Sequence, residues 1–531
     1  MFTYGNLKRI RDTDFSNPNN PTPIIPSLIK QIRHHSMDPW QTDVANIIKT
    51  SQKSIIINVT PAAGKTWPVM DGLNYLFEKK SISKILFCVP IQFLAAKLTQ
   101  DIKESVNSGL ITSLISNPQQ LKDIDLNFID QYLNKFIGVK VASGTITDSP
   151  TKVLPSRDTK VDIATYEHAA KLITQFDYDI VIIDEFQESV PLRNDPDKYK
   201  KGETYGKIIS NAKRLIILTG SLNRNSINRL AEYIKQYSSN IKDIEVLPKV
   251  SDLSNIKNRS KINILASPDV TNPQRLVDVL TNKIKNREPG NLLVIFSRVG
   301  MLKHYIDPLL NKKSLPNILN LNNIKSQQVS FNTKTTPQDK LYTSIADYEK
   351  NNSANRLLNN IQEINPLLKQ CLEKGFGYII GGSHVEKDGT QREINKILEI
   401  SIPEKQLISD LFVNKKIYVA IATDSVGLGV TLDVQHLYIP SIKKFDGTKI
   451  STIDISSLIQ ILNRAGRGKF DIANIYCAPS DVEYISKIIN NFDPVIDIAV
   501  ADVEPLKDSM IKHNKNMGIS DKLSEILFPT N

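Results

Sequence analysis

Short apolar runs, separated by longer polar and helix-compatible stretches, set the rhythm of this chain. In the first half the runs are Ser54–Val59, Ile85–Val89, Val161–Ala164, Ile180–Ile183 and Leu215–Leu218. Each is rich in β-branched residues with little polar alternation, the pattern of a strand buried on both faces of a parallel sheet. A second set follows at Leu292–Phe296, Tyr378–Ile380, Ile417–Ile421, His436–Ile439 and Asn474–Cys477. The polar stretch at 246–262 reads as a linker between the sets. An Asn/Lys/Gln-rich stretch at about 310–376 reads as an insertion with helices of its own. Residues 1–35, with SNPNNPTPIIP, read as an N-terminal arm. The pattern therefore predicts an α/β fold in two tandem domains, 36–250 and 251–485. A helical C-terminal tail follows at 486–531, with an amphipathic candidate at Asp521–Leu527. No solenoid-type repeat is visible.

Composition narrows the class. A chain of 531 residues exceeds a single core, and 40% apolar with 23% charged residues excludes a wholly disordered or fibrous chain. Cys88, Cys371 and Cys477 lie far apart, which excludes a cysteine zinc site or a disulfide framework and favours a reducing compartment. There is no apolar run of about eighteen residues and no signal-peptide core. The expectation is an intracellular protein, cytoplasmic or nuclear, without a membrane partner. The net charge of +11 favours a polyanionic partner. A scattered lysine surface in a Lys/Asn/Ile-rich chain from an AT-rich genome gives the same balance.

Two segments carry the chemistry. Val59-Thr60-Pro61-Ala62-Ala63-Gly64-Lys65-Thr66 follows an apolar strand and precedes a helical pattern. In such a phosphate loop the backbone N–H groups, here of Ala62, Ala63 and Gly64, point at a nucleotide's phosphates. Lys65 neutralises the β/γ-phosphates and Thr66 offers its hydroxyl to Mg²⁺. The full pattern begins with Gly, where Val59 stands. The second segment, Ile180-Val181-Ile182-Ile183-Asp184-Glu185-Phe186-Gln187, is a strand ending in two carboxylates. Asp184 suits Mg²⁺, which takes hard oxygen ligands, and Glu185 suits the orientation or deprotonation of an attacking water. An isolated acidic pair is equally a turn or a helix cap. The phosphate loop upstream in the same α/β pattern decides for a nucleotide with Mg²⁺.

Further short elements fall in order along the chain: Pro39-Trp40-Gln41; Val89-Pro90-Ile91-Gln92-Phe93-Leu94-Ala95; Ala164-Thr165-Tyr166-Glu167; Leu218-Thr219-Gly220-Ser221. In the second half come Val294-Ile295-Phe296-Ser297-Arg298, Gly375-Phe376-Gly377-Tyr378 with Gly381-Gly382-Ser383-His384, then Ala422-Thr423-Asp424-Ser425-Val426-Gly427-Leu428-Gly429-Val430, and last Gln460-Ile461-Leu462-Asn463-Arg464-Ala465-Gly466-Arg467-Gly468. Across about residues 36–480 this series resembles the motifs of superfamily 2 helicases. Their motor is a pair of RecA-like domains, each a mostly parallel sheet flanked by helices.

The resemblance implies roles. Asp184-Glu185-Phe186-Gln187 is similar to the DExx box, with Gln187 in place of the usual His or Asp. Gln41 corresponds to an adenine-reading glutamine, whose amide can pair both edge groups of the base. Pro90, Gln92, Thr165, Ser297, Arg298 and Thr423 correspond to nucleic-acid contacts, and Thr219 and Ser221 to the motif coupling hydrolysis to domain movement. Gly427 lies in a turn approaching both nucleic acid and the ATP cleft. Gln460 corresponds to a phosphate neighbour. Arg464 and Arg467 correspond to arginine fingers, with Asn463 replacing a Gly. The Arg-Ala-Gly-Arg form leans towards superkiller-like helicases, and a divergent viral or plasmid helicase, serving viral replication, also fits the lean core.

The implied activity is ATP-dependent movement on, or unwinding of, RNA or DNA. Two other readings stand beside it. One is a double-strand translocase that remodels without unwinding, and the other is an ATP-gated nucleic-acid scaffold that has lost hydrolysis.

Overall fold

The structure, a computed structural model, describes residues 37–59, 63–91, 94–95, 98–99, 137–140, 154–189, 196–220, 224–248, 261–296, 299–321, 364–380, 397–423, 432, 434–445, 450–453, 455–466, 472–490 and 511. The arm at 1–35, the middle of the expected insertion and the Asp521–Leu527 helix lie outside the described residues. The chain divides into two compact units, Met1–Lys257 with Pro494–Asn531, and Asn258–Asp493. Ile511, from beyond the second unit, packs against the first unit's core.

The first unit is built on seven strands: β1 (Ser54–Asn58), β2 (Ile85–Val89), β3 (Ile137–Lys140), β4 (Val161–Thr165), β5 (Ile180–Ile183), β6 (Leu215–Thr219) and β7 (Ile244–Leu247). Their order is β3-β4-β2-β5-β6-β1-β7, and neighbours pair in parallel. The helices include α1 (Pro39–Thr50), α2 (Thr66–Glu78), α3 (Tyr166–Leu172), α4 (Pro196–Asn211) and α5 (Arg224–Tyr237).

Successive strand residues face opposite sides of a sheet, and each side here has its own core. Ile55, Ile57, Phe87, Ile182 and Leu218 join Trp40, Val44 and Leu73 on one face. Ile56, Leu86, Cys88, Val181, Ile183 and Ile217 join Tyr205, Ile208 and Leu230 on the other. This is why the strands read as unbroken apolar runs: both alternating sets are buried, each large side chain contributing roughly 1.5–3 kcal/mol.

The N-terminal end of this sheet hides a charged cluster. Lys84 Nζ lies 2.8 Å from Asp162 Oδ2, and their side chains are 8% and 0% exposed. Tyr178 donates to Asp162 Oδ2 at 2.7 Å and Thr159 to Oδ1 at 2.6 Å. Lys84 also donates to the carbonyls of Ser156 and Thr159. Burial pushes its ammonium below the ordinary lysine range, against the pull of Asp162.

The second unit carries β8 (Lys261–Ala266), β9 (Asn291–Ile295), β10 (Phe376–Ile379), β11 (Val419–Thr423), β12 (His436–Ile439), a small antiparallel hairpin of β13 (Lys443–Phe445) and β14 (Ile450–Thr452), and β15 (Ile472–Cys477). The main sheet runs β10-β11-β9-β12-β15-β8, again parallel. Among its helices are α6 (Pro273–Lys285), α7 (Lys303–Asn311), α8 (Pro366–Glu373), α9 (Ile402–Val413), α10 (Ile455–Leu462) and α11 (Val482–Asn490).

Local chemistry sets several helix starts. Asn272 accepts from the N–H groups of Gln274 and Arg275 to open α6, and Asn365 does the same for α8. Ser401 and Glu404 form a reciprocal capping box at α9. Both units are thus the parallel-strand α/β layers expected of tandem RecA-like domains.

The ten predicted strands occur, with ends moved by one or two residues in most cases. Three strands of the main sheets were not legible. β3 is four residues long and contains Gly138. β7 and β8 bracket the stretch read as a linker, and β8 is an edge strand, half-exposed or exposed along its length, so its polar residues mask its strand character. A cross-sheet polar row explains one of those residues, Asn263. Asn291, His436, Asn474 and Asn263 stand in register on β9, β12, β15 and β8. Asn263 Nδ2 donates to Asn474 Oδ1 at 3.0 Å.

Candidate nucleotide and nucleic-acid site

All strands of the first sheet are parallel, so the residues following them gather along one edge. Read across the sheet order, that edge carries Lys140 ending β3, Thr165 ending β4, Pro90 after β2, Asp184 after β5, Thr219 ending β6, and the phosphate loop after β1. Strands lie about 4.8 Å apart, so the acid pair and the phosphate loop are separated by two spacings, roughly 10 Å.

The phosphate loop is formed by its last residues as its motif requires; Thr60, Pro61 and Ala62 lie outside the described residues. Gly64 sits at φ +78°, and a Cβ there would come within 2.8 Å of Gln41 Nε2. Lys65, only 7% exposed, stands at the start of α2, and Thr66 opens the helix. The loop thus delivers a lysine and a hydroxyl to a helix N-terminus whose dipole favours phosphate; among its first N–H groups that of Trp67 donates to Gly64 O at 3.2 Å, and Pro68 has none. Ala63 is buried.

Gln41 meets this loop directly. Its amide nitrogen donates to the carbonyls of Ala63 at 3.1 Å and Gly64 at 3.2 Å, and its Oε1 accepts from Asp38 N at 3.0 Å. The side chain expected to read adenine therefore holds the phosphate loop, with both ends of its amide engaged.

The acid pair is fixed from several sides. Asp184 N donates to Cys88 O at 2.9 Å, and Glu185 N donates to Asp184 Oδ1 at 2.9 Å. Glu185 has φ +49°, a left-handed conformation unusual for a residue with a side chain. A short 3₁₀ turn, Phe186–Ser189, follows. Gln187, buried, donates through Nε2 to Glu185 Oε2 and accepts at Oε1 from Thr219 Oγ1 at 2.9 Å. The departure from His or Asp at position 187 therefore keeps a connection: an amide both donates and accepts, and it joins the acid pair to the expected coupling residue. Thr219 in turn accepts from Val59 N at 3.2 Å, tying the end of β6 to the entrance of the phosphate loop.

On the other flank, Thr165 Oγ1 lies 3.1 Å from His168 Nδ1. The imidazole is held below its ordinary pKa, first by burial and then by repulsion from Lys171 and Lys140. The Glu167 carboxylate pulls the other way. Lys140, from the strand missed in the sequence, pairs in register with Ala164. Its alignment beside the motif becomes visible only once β3 is placed.

In the second unit Thr423 ends β11 and is buried. Gln460 lies on α10, and Gln460, Asn463 and Arg464 are all buried. Ala465 bridges to Val434, Gly466 N donates to Val434 O at 2.9 Å, and Gly466 takes φ +78°. The arginine-bearing turn is thereby pinned beside the entrance to β12. Gln92, Ser221, Ser297, Arg298, Gly427 and Arg467, like the Gly381–His384 segment, lie outside the described residues.

Among the described residues no cluster of three or more His, Cys, Asp or Glu side chains is arranged for a metal, and no helix is long and apolar enough to cross a membrane. The three cysteines are free and buried. The donor set at the strand ends, the Thr66 hydroxyl and the Asp184 carboxylate, is the hard-oxygen set that suits Mg²⁺ held through water.

Comparison with known proteins points the same way. Residues 31–224, which contain both the phosphate loop and the acid pair, match the family model described as the res subunit of type III restriction enzymes. An 84-residue segment is 27% identical to the mitochondrial DExH-box ATP-dependent RNA helicase DExH16 of Arabidopsis thaliana; it covers 15% of this chain and 15% of that protein. A segment of 84 residues is 29% identical to the mitochondrial ATP-dependent RNA helicase SUV3 of Oryza sativa subsp. japonica, covering 15% of this chain and 14% of the relative. Only about a seventh of either relative is thus spanned. With the phosphate loop, the acid pair and the glutamine–threonine link on neighbouring strand ends, and with these matches, the first unit is similar to the DExx-box helicases of superfamily 2.

Proposed function

We propose that this protein hydrolyses ATP and couples hydrolysis to movement on, or unwinding of, nucleic acid, with RNA as the substrate to test first. The observation that carries the proposal is the ordered edge of the first sheet. The nucleotide residues Lys65 and Thr66 lie on one side of Asp184-Glu185, the polynucleotide candidates Pro90 and Thr165 on the other, and Thr219–Gln187–Glu185 is a continuous hydrogen-bonded chain. The RNA preference is supported by the names of the two plant relatives.

Lys65 and the backbone N–H groups of the loop that leads into α2 would hold the phosphates. Thr66 and Asp184 would hold Mg²⁺, which when bound neutralises phosphate charge. Glu185, its carboxylate steered by Gln187, orients the attacking water. Thr165, with Lys140 nearby, offers a hydroxyl and positive charge to the backbone of a strand, a contact indifferent to base identity. The roles of Gln460, Arg464 and Arg467 rest on their motif. An arginine in that role is worth about 10³–10⁵ in rate.

The test is phosphate release by the purified chain and by Lys65→Ala, with and without RNA or DNA. Turnover stimulated by polynucleotide and reduced at least about 100-fold in the variant is expected, the scale of losing a principal phosphate contact. Wild-type protein that shows no stimulated turnover refutes the motor. Partial duplexes with a 3′ or a 5′ overhang then separate the modes. Strand release supports unwinding, and duplex-stimulated turnover without release supports a double-strand translocase.

A further inference from the structure

We infer that Tyr166 is a positioning residue that carries occupancy of the nucleic-acid contact at Thr165 into the geometry of the acid pair. The inference rests on the helicase reading above and deepens it by naming how polynucleotide stimulates hydrolysis.

Thr165 and Tyr166 leave β4 together, and they serve different partners. Thr165 is the candidate phosphate donor. Tyr166 is 4% exposed, and its hydroxyl donates to the carbonyl of Asp184 and, at 3.4 Å, to that of Glu185. β2 lies between β4 and β5 in the sheet. The backbone ladders therefore give β4 no direct bond to the residues that follow β5. The tyrosine supplies one by reaching across the end of β2.

The two carbonyls it meets are significant. They belong to the peptide groups on either side of the Glu185 α-carbon, and the rotation between them includes the φ of +49°. Left-handed backbone costs a residue with a side chain about 1–2 kcal/mol, so it persists only where the surroundings hold it. Hydrogen bonds to both flanking carbonyls do this. Glu185 is consequently held twice, its backbone from the polynucleotide flank by Tyr166 and its carboxylate from the nucleotide flank by Gln187 and Thr219.

The link is braced. The Tyr166 and Tyr205 rings pack with centroids 4.5 Å apart, and Tyr205 meets Phe186 edge-on at 5.7 Å. Phe186 immediately follows Glu185, so the aromatic cluster returns to the acid pair and completes a circuit. Close-packed side chains of this kind transmit a displacement at β4's end instead of absorbing it.

Tyr166→Phe removes the hydroxyl and leaves the ring. The expected result is that the ratio of RNA-stimulated to basal turnover at saturation falls about tenfold, the scale of one lost hydrogen bond, while KM for ATP and Kd for RNA change less than about twofold. Thr165→Val removes the contact from which the signal starts, so it should both raise Kd for RNA a few-fold and lower the saturated ratio, whereas Tyr166→Phe lowers the ratio alone. Should Tyr166→Phe fail to fold, as judged by near-ultraviolet circular dichroism, Tyr205→Leu tests the brace; the expected fall in the ratio is about threefold, with KM for ATP kept. A Tyr166→Phe enzyme stimulated as fully as wild type, or losing stimulation only through weaker RNA binding, overturns the inference and leaves the helicase reading standing. Wild-type protein without RNA-stimulated turnover removes the helicase reading itself.

Discussion

At Gly64 two constraints fall on one α-carbon. The backbone is left-handed, and any Cβ would meet the Gln41 amide. Gly64→Ala therefore adds roughly 1–2 kcal/mol of backbone strain and displaces the side chain that accompanies the loop. Affinity for a fluorescent ATP analogue is expected to fall about tenfold or more, with a smaller loss of stability in urea. An unchanged affinity would show that the loop reaches its binding shape without Gln41. At this scale much was legible. Lys65, Thr66, Asp184 and Glu185 are named by neighbours along the chain, because a strand, a tight turn and a helix start need only a few consecutive residues. Gln41 has contacts that were not legible: its amide is engaged by loop carbonyls 22 and 23 residues away, a separation that no local pattern records.

Elements derive their stability from two-sided burial, and the exception sits at the foot of β2 and β4. Lys84 and Asp162 form an ion pair within the sheet's end, completed by Tyr178 and Thr159. Gly138 on β3 has no room for a side chain beside it, since a Cβ would stand 2.4 Å from Asp162 Oδ1. Lys84→Met should destabilise the protein by about 3–5 kcal/mol, because it leaves the buried carboxylate without its cation. Lys84→Met with Asp162→Asn should recover most of the loss. Urea denaturation of the two variants checks both statements, and equal losses would mean that the pair's charge is not what holds the segment. The apolar core strands were readable in the sequence because both of their faces are covered. β3 and β8 were not, since a four-residue edge strand or a half-exposed one has too little apolar periodicity to stand out.

The first unit sets its candidate residues along one edge, those proposed for polynucleotide on one flank of the acid pair and those proposed for the nucleotide on the other. If a strand lies along the β3–β4 flank with about three phosphates neutralised, RNA affinity should fall more than about tenfold between 50 and 200 mM salt. It should differ little between sequences of equal length. Fluorescence anisotropy against salt measures this, and a flat salt dependence would exclude the backbone-gripping mode.

Taken by itself, the sequence determined the strand-end motifs, their order and the α/β alternation, since each depends on residues close together in the chain. The tertiary structure alone decided that β2 separates β4 from β5, that Tyr166 spans the gap, that Lys140 pairs with Ala164, the residue before Thr165, and that Gln187 meets Thr219. Such contacts follow from sheet order. Sheet order is settled by which apolar faces bury one another across many residues, and that competition leaves no periodic trace in the chain.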